Sequence, residues 1–168
     1  MQKRYLLIIV SMVAIITVTQ SVGMLLNITP SMKLGLYIKA NGHIQRGDII
    51  AFCLRDPYKT LGLSKLYIQK GYKCNGADPL IKEVIAVPRD NVVLQAHYIS
   101  VNDRRYFYET AYKDSDGKDL AIYPRGVYRN ASGYWLIGTN AKQSWDSRYW
   151  GPIASDQVLY KLRPLLTW

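Results

Sequence analysis

The chain has 168 residues, with 22 basic against 12 acidic side chains and a formal charge of +10. That length holds one domain with a real core plus an extra element, and the charge suits an anionic partner such as lipid headgroups or nucleic acid. The basic residues are scattered, without a recognition helix, zinc finger or RNA-binding signature, which argues against nucleic acid; Cys53, Cys74, His43 and His97 have no metal-ligand spacing, which argues against a metal site.

From Tyr5 to Ile28 the sequence is almost wholly apolar, long enough to cross a bilayer as a helix. Lys3 and Arg4 precede it, and the positive-inside rule then keeps residues 1–4 cytoplasmic and exports the body. A cleaved signal peptide ending near Ser21-Val22-Gly23 is the competing reading. The run is longer than the apolar core of such a peptide (about 7–15 residues) and continues past that point. The expectation is a retained signal-anchor over residues 5–28 and an exported domain over residues 29–168. The 14 tyrosines against 2 phenylalanines suit partly wet sheet faces and a membrane interface.

Where the apolar run stops lies Asn27-Ile28-Thr29-Pro30-Ser31-Met32-Lys33. These are turn residues, and an ordinary juxtamembrane turn is one reading. The other makes Ser31 a nucleophile at a membrane surface, acting on a membrane-tethered substrate. With 2 histidines a Ser-His-Asp arrangement is poorly supported, so the base would be a lysine.

Gly35 to Ala40 reads as a strand, Asn41-Gly42 and Arg46-Gly47-Asp48 as turns, and Ile49 to Leu54 as a short buried strand. Between Cys53 and Cys74 runs a basic segment in which Leu61, Leu66 and Tyr67 could form one face of a short helix. Export would bond Cys53 to Cys74, because oxidising compartments favour disulfides; two free thiols are the alternative.

Ile81-Lys82-Glu83-Val84-Ile85-Ala86-Val87 alternates so that Lys82 shares a face with Val84 and Ala86. Burial there would depress the lysine pKa and make it a usable base. The alternative is a surface lysine whose stem lies on apolar neighbours. Further strands are expected at Val92 to Gln95, Tyr98 to Val101, Tyr134 to Gly138 and Gln157 to Leu162, the last closing the sheet. Asp114-Ser115-Asp116-Gly117 lacks the ligand set of a calcium loop and reads as a solvated turn. Many short strands with close turns give a mainly β exported domain. Finally, Gly138 to Gly151 is dense in hydroxyl and charged groups. Asp146 and Arg148 could pair there, Ser144 could orient a base, or the segment could be a hydrogen-bonded loop over the core.

Together these stretches resemble the type I signal peptidases, a family of Ser/Lys proteases, and their TraF-type conjugative-transfer members above all. Pro30-Ser31-Met32 resembles the serine box, Arg46 to Phe52 the strand after it, Ile81 to Asp90 the lysine box, and Gly138, Asn140 and Ser144 to Gly151 the C-terminal box. TraF-like in particular are Asn27-x-Thr29-x-Ser31, the Cys53/Cys74 pair, Asp114-Ser115-x-Gly117 and the Pro164-Leu165-Leu166-Thr167-Trp168 ending. Departures are Lys33 where proline is usual, Glu83 where a basic residue is frequent, Arg89 in place of a turn glycine, and Thr139 and Ala141 in place of Asp and Arg.

The resemblance implies a signal-peptidase-like antiparallel β-sheet domain behind one N-terminal transmembrane helix, in the bacterial inner membrane and facing the periplasm. It makes Ser31 the nucleophile, Lys82 the base, the Ser31 N–H and Thr29 hydroxyl the oxyanion hole, and Ser144 the group that orients Lys82. Asp146 would be essential, by pairing with Arg148 or more directly. No cofactor is implied. The implied substrate is the prepilin of a conjugative type IV secretion system, with head-to-tail cyclisation as a variant outcome, and other apparatus proteins as further partners. A general signal peptidase acting on exported preproteins and a non-catalytic single-span assembly protein are the rival expectations.

Overall fold

In a computed structural model, the structure describes Tyr5, residues 23–106 and residues 108–168. The expected signal-anchor lies mostly outside the described residues, among which no helix is long and apolar enough to cross a membrane. Its expected end is corrected. Met24–Asn27 is not the tail of a helix but strand β1, entered through Gly23 at φ +66° and paired antiparallel with β2 (Gly35–Ala40). Met24-Leu25-Leu26 is equally apolar in either state, and pairing with a neighbouring strand decides it.

Six strands make the principal sheet, in the order β1, β2, β12 (Val158–Thr167), β3 (Ile49–Phe52), β6 (Leu80–Ala86) and β11 (Trp135–Ile137). Every pairing in it is antiparallel. Of its inner strands, β3 and β6 are the richest in β-branched and apolar residues and the most buried. A four-stranded sheet, β10 (Gly126–Tyr128), β7 (Val92–Leu94), β8 (Ile99–Val101) and β9 (Arg104–Tyr106), packs over Ile85, Trp135 and Ile137. β4 (Lys70–Gly71) and β5 (Gly76–Ala77) form a small ribbon. The mainly β expectation holds.

The last strand does not close the sheet. β12 runs on to Thr167 and lies in the middle, between β2 and β3. Pro164 hides this in the sequence, since it has no N–H for the ladder; the register with β2 shifts between Pro164 and Leu166. The short helix is Tyr58–Ser64, so Leu66 falls outside it and is exposed. Cys53 and Cys74 are bonded, with Cα atoms 5.2 Å apart. The bridge ties that helix and β4 back to the end of β3.

Candidate active site

Lys82 sits in the centre of β6, opposite Ile50 of β3. The alternation seen in the sequence turns its side chain inward, leaving the residue 3% exposed. Burial pushes the ammonium down from its ordinary 10.5 to about 8, with Asp146 pulling it up and Arg148 pushing it further down. Nζ and Ser31 Oγ lie 2.6 Å apart, in hydrogen-bond contact. Two groups 51 residues apart in the chain thus meet at the floor of a cleft of about 400 Å³.

Ser31 belongs to the loop between β1 and β2, held from two sides. From below, the buried Asn27 side chain donates through Nδ2 to the carbonyls of Thr29 (3.0 Å), Met32 (3.2 Å) and Lys33 (3.0 Å). Its Oδ1 accepts from the Thr29 N–H (3.1 Å) and the Thr29 hydroxyl (2.8 Å). From the side, the Asn140 N–H donates to the Ser31 carbonyl (3.1 Å), and Asn140 Nδ2 to that of Pro30 (3.0 Å). Gly138 makes this approach possible. A Cβ there would lie 2.1 Å from Ser144 Oγ and 2.9 Å from the Ser31 carbonyl oxygen. The departure at Lys33 is neutral for this geometry: its side chain is exposed, and its carbonyl accepts from Asn27 and from the Tyr37 hydroxyl (2.7 Å).

Behind the lysine lies a buried ion pair. Arg148 Nε donates to Asp146 Oδ1 and Nη2 to Oδ2, both at 2.8 Å, a two-pronged contact matching guanidinium to carboxylate. The Gly138 N–H (3.1 Å) and Arg148 N–H (3.3 Å) also donate to that carboxylate. The remaining guanidinium hydrogens reach the carbonyls of Ser144 (2.9 Å) and Glu109 (2.5 Å). Asp146 is fully buried, has four donors on its two oxygens and is not among the residues lining the cleft. Of the two roles expected for Asp146, the structure shows the pairing with Arg148. Asp146 holds Gly138 and Arg148 in place and contributes charge near Lys82.

Two more expected site residues line the cleft. Ser144 is buried beside Gly138, and among the described residues its Oγ has no hydrogen-bond partner, so the contact expected with Lys82 is not made in this structure. The Thr29 hydroxyl is committed to Asn27 Oδ1 and is not free to serve an oxyanion at rest, whereas the Ser31 N–H has no acceptor among the described residues. In the sequence Asn27 and Asn140 stand out only as turn and motif residues. The one available signal was an Asn two residues before a Thr, the mark of a side chain that closes its own turn.

The far wall comes from the disulfide-bridged segment, with Leu66, Tyr67, Ile68 and Gln69 facing the serine loop across the cleft. Tyr67 stacks on Trp145 at 5.3 Å and donates its hydroxyl to Asp114 (2.5 Å), strapping that wall to the C-terminal box. Burial, and then the Asp114 carboxylate, push the Tyr67 pKa up to about 12. The solvated turn at Asp114 thus has a second task. Among the described residues no three His, Cys, Asp or Glu side chains are grouped to hold a metal ion.

The chain is similar to several known proteins. The chain is 28% identical over 153 residues to the plasmid transfer protein TraF of Escherichia coli, covering 87% of this chain and 84% of that one. It is 30% identical over 156 residues to the conjugal transfer protein TraF of Agrobacterium fabrum, covering 86% and 83%. A signal peptidase I structure from Enterococcus faecalis aligns at a TM-score of 0.42 and 19% identity, over 74% of this chain and all of that one. The family model described as signal peptidase, peptidase S26, matches residues 2–166, and the chain belongs to that family of serine peptidases of signal peptidase I type.

Proposed function

We propose that the chain is a membrane-anchored Ser/Lys endopeptidase that processes the prepilin of a conjugative type IV secretion system. One observation carries the reading. Lys82 Nζ stands 2.6 Å from Ser31 Oγ, on a buried strand that pushes the lysine down to about 8. A lysine so placed holds an unprotonated fraction near neutral pH and has one hydroxyl within reach. In the reaction, neutral Lys82 takes the Ser31 proton as Oγ attacks the scissile carbonyl. The Ser31 N–H steadies the oxyanion, and Lys82 returns the proton to the leaving amine. The acyl group on Ser31 is then taken by water, giving a linear product, or by an amine, which closes a cycle.

The membrane placement rests on charge and surface. Leu26, Ile28, Leu165, Leu166 and Trp168 are exposed where β1 and β12 flank the start of β2. Exposed apolar side chains on a protein of +10 charge suit an anionic lipid surface. The Cys53–Cys74 bond suits an oxidising compartment, the periplasm, with the anchor in the inner membrane. The names of the relatives support a conjugation substrate and, with it, other proteins of that apparatus as partners.

The test is mass spectrometry of pilin from cells carrying the wild-type chain, Ser31→Ala or Lys82→Ala. Mature pilin is expected with the wild type alone, the cyclic form lighter by one water. Mature pilin in either variant, with the chain folded and in the membrane, overturns the reading. Rescue of cells depleted of their housekeeping signal peptidase would instead assign the chain to general preproteins.

A further inference from the structure

Asn27 carries five hydrogen bonds on one buried amide, and every one of them falls within the seven residues that present Ser31. Two N–H hydrogens serve three carbonyls, so one is shared. The carbonyl oxygen takes both a backbone N–H and a hydroxyl. Among the side chains only an amide offers strong donors and a strong acceptor together in this geometry. An aspartate would set acceptors against three carbonyl oxygens. The amide is itself anchored to the sheet. Asn27 pairs with Gly35, and Gly35 lies so close to β12 that a Cβ would fall 2.1 Å from the Leu166 carbonyl oxygen.

The Thr29 hydroxyl has one proton, and at rest that proton is donated to Asn27 Oδ1 at 2.8 Å. A hydrogen bond to a full oxyanion is roughly twice as strong as one to a neutral amide oxygen. Oδ1 keeps the Thr29 N–H as a partner if the hydroxyl turns away, so the exchange leaves no orphan behind. A donor released only when negative charge appears acts on the transition state and not on the bound substrate. We propose, on the Ser/Lys reading above, that Asn27 is the positioning residue of the nucleophile loop, setting Ser31 against Lys82 and holding the Thr29 hydroxyl in reserve for the oxyanion.

The experiment uses the full chain in detergent micelles and an internally quenched peptide spanning a small-residue signal-peptide junction. Steady-state kinetics across pH and thermal unfolding are measured for Asn27→Ala, Asn27→Asp, Thr29→Val, Thr29→Ser and the Asn27→Ala/Thr29→Val double variant. Asn27→Ala and Thr29→Val are each expected to lower kcat about 100-fold, with KM changed less than about threefold. Asn27→Asp should fall further, and Thr29→Ser should recover at least about tenfold over Thr29→Val. The double variant is expected to be no worse than about threefold below the poorer single variant, because groups acting as one unit are not additive. The acid limb of kcat/KM, set by Lys82, should stay where the wild type has it.

Three results overturn the inference: folded Asn27→Ala with kcat within about threefold of wild type, a double variant whose loss is the product of the single losses, or an acid limb moving up toward that of an ordinary lysine. The last would mean that the substitution merely opens the site to water. Thr29→Val and its coupling are read even if Asn27→Asp fails to fold. Cleavage surviving in Ser31→Ala or Lys82→Met overturns the Ser/Lys reading and this inference with it. Loss there, with normal kcat in Asn27→Ala, overturns the inference alone.

Discussion

The two sides of the cleft are built by opposite means. Lys82 stands on an inner strand with neighbours on both edges, buried among apolar side chains and backed by the Asp146–Arg148 pair. Ser31 stands on a loop that Met32 roots in the core, with its carbonyls fixed by hydrogen bonds from Asn27 and Asn140. The base is tuned by a dry environment that only a rigid sheet can maintain. The nucleophile needs direction more than dryness, and a loop clamped by amides supplies it while leaving Oγ open to a peptide.

The comparison breaks most visibly at the base. Lys82→Met is expected to lower kcat/KM about 10⁴-fold or more in the peptide assay while making the fold more stable. The lysine titrates near 8 when folded against 10.5 when unfolded. Between those values the unfolded chain binds more protons, so wild-type stability rises with pH through that window and is lower below it. Removing the amine should therefore gain about 1–3 kcal/mol at pH 7 in denaturant unfolding, the gain fading as the pH approaches that of a free lysine. For the same reason the wild-type kcat/KM should climb with pH and reach half its plateau near 8. A variant less stable than wild type at pH 7 would show that Lys82 is not held in a dry site.

The ion pair behind the lysine comes next. Asp146→Asn leaves a buried guanidinium without its counter-charge, and unfolding should show a loss of about 3–5 kcal/mol. Asp146 raises the Lys82 pKa, so the acid limb of any remaining activity should move down in pH. An unchanged limb would separate the pair from the base.

The disulfide is predicted to matter somewhat less, and to a different parameter. The Cys53→Ser/Cys74→Ser variant loses a bridge closing a 21-residue separation, worth about 3 kcal/mol by the chain-entropy argument. It also loosens the wall formed by Leu66 to Gln69, so KM should rise more than kcat falls.

Smallest is Arg89, held at φ +80° in the Pro88–Asn91 turn, where the resembling family carries glycine. Arg89→Gly relieves a strained backbone but frees the unfolded chain, so stability should rise by no more than about 1 kcal/mol, with activity untouched. A loss would mean that the arginine side chain holds the turn.

The sequence by itself determined the chemistry-bearing residues and the class of fold. A serine placed after an apolar run, a lysine in period-2 alternation on a strand, and turns between short β-branched runs are all local patterns, legible within a few residues. Only the tertiary structure decided which groups meet and which hydrogen bonds win. It put Met24–Asn27 in a strand, set β12 in the middle of the sheet despite Pro164, brought Lys82 Nζ to Ser31 Oγ and left Ser144 Oγ without a partner among the described residues. Each of these depends on a neighbouring strand or on residues far along the chain, so no local window contains its outcome.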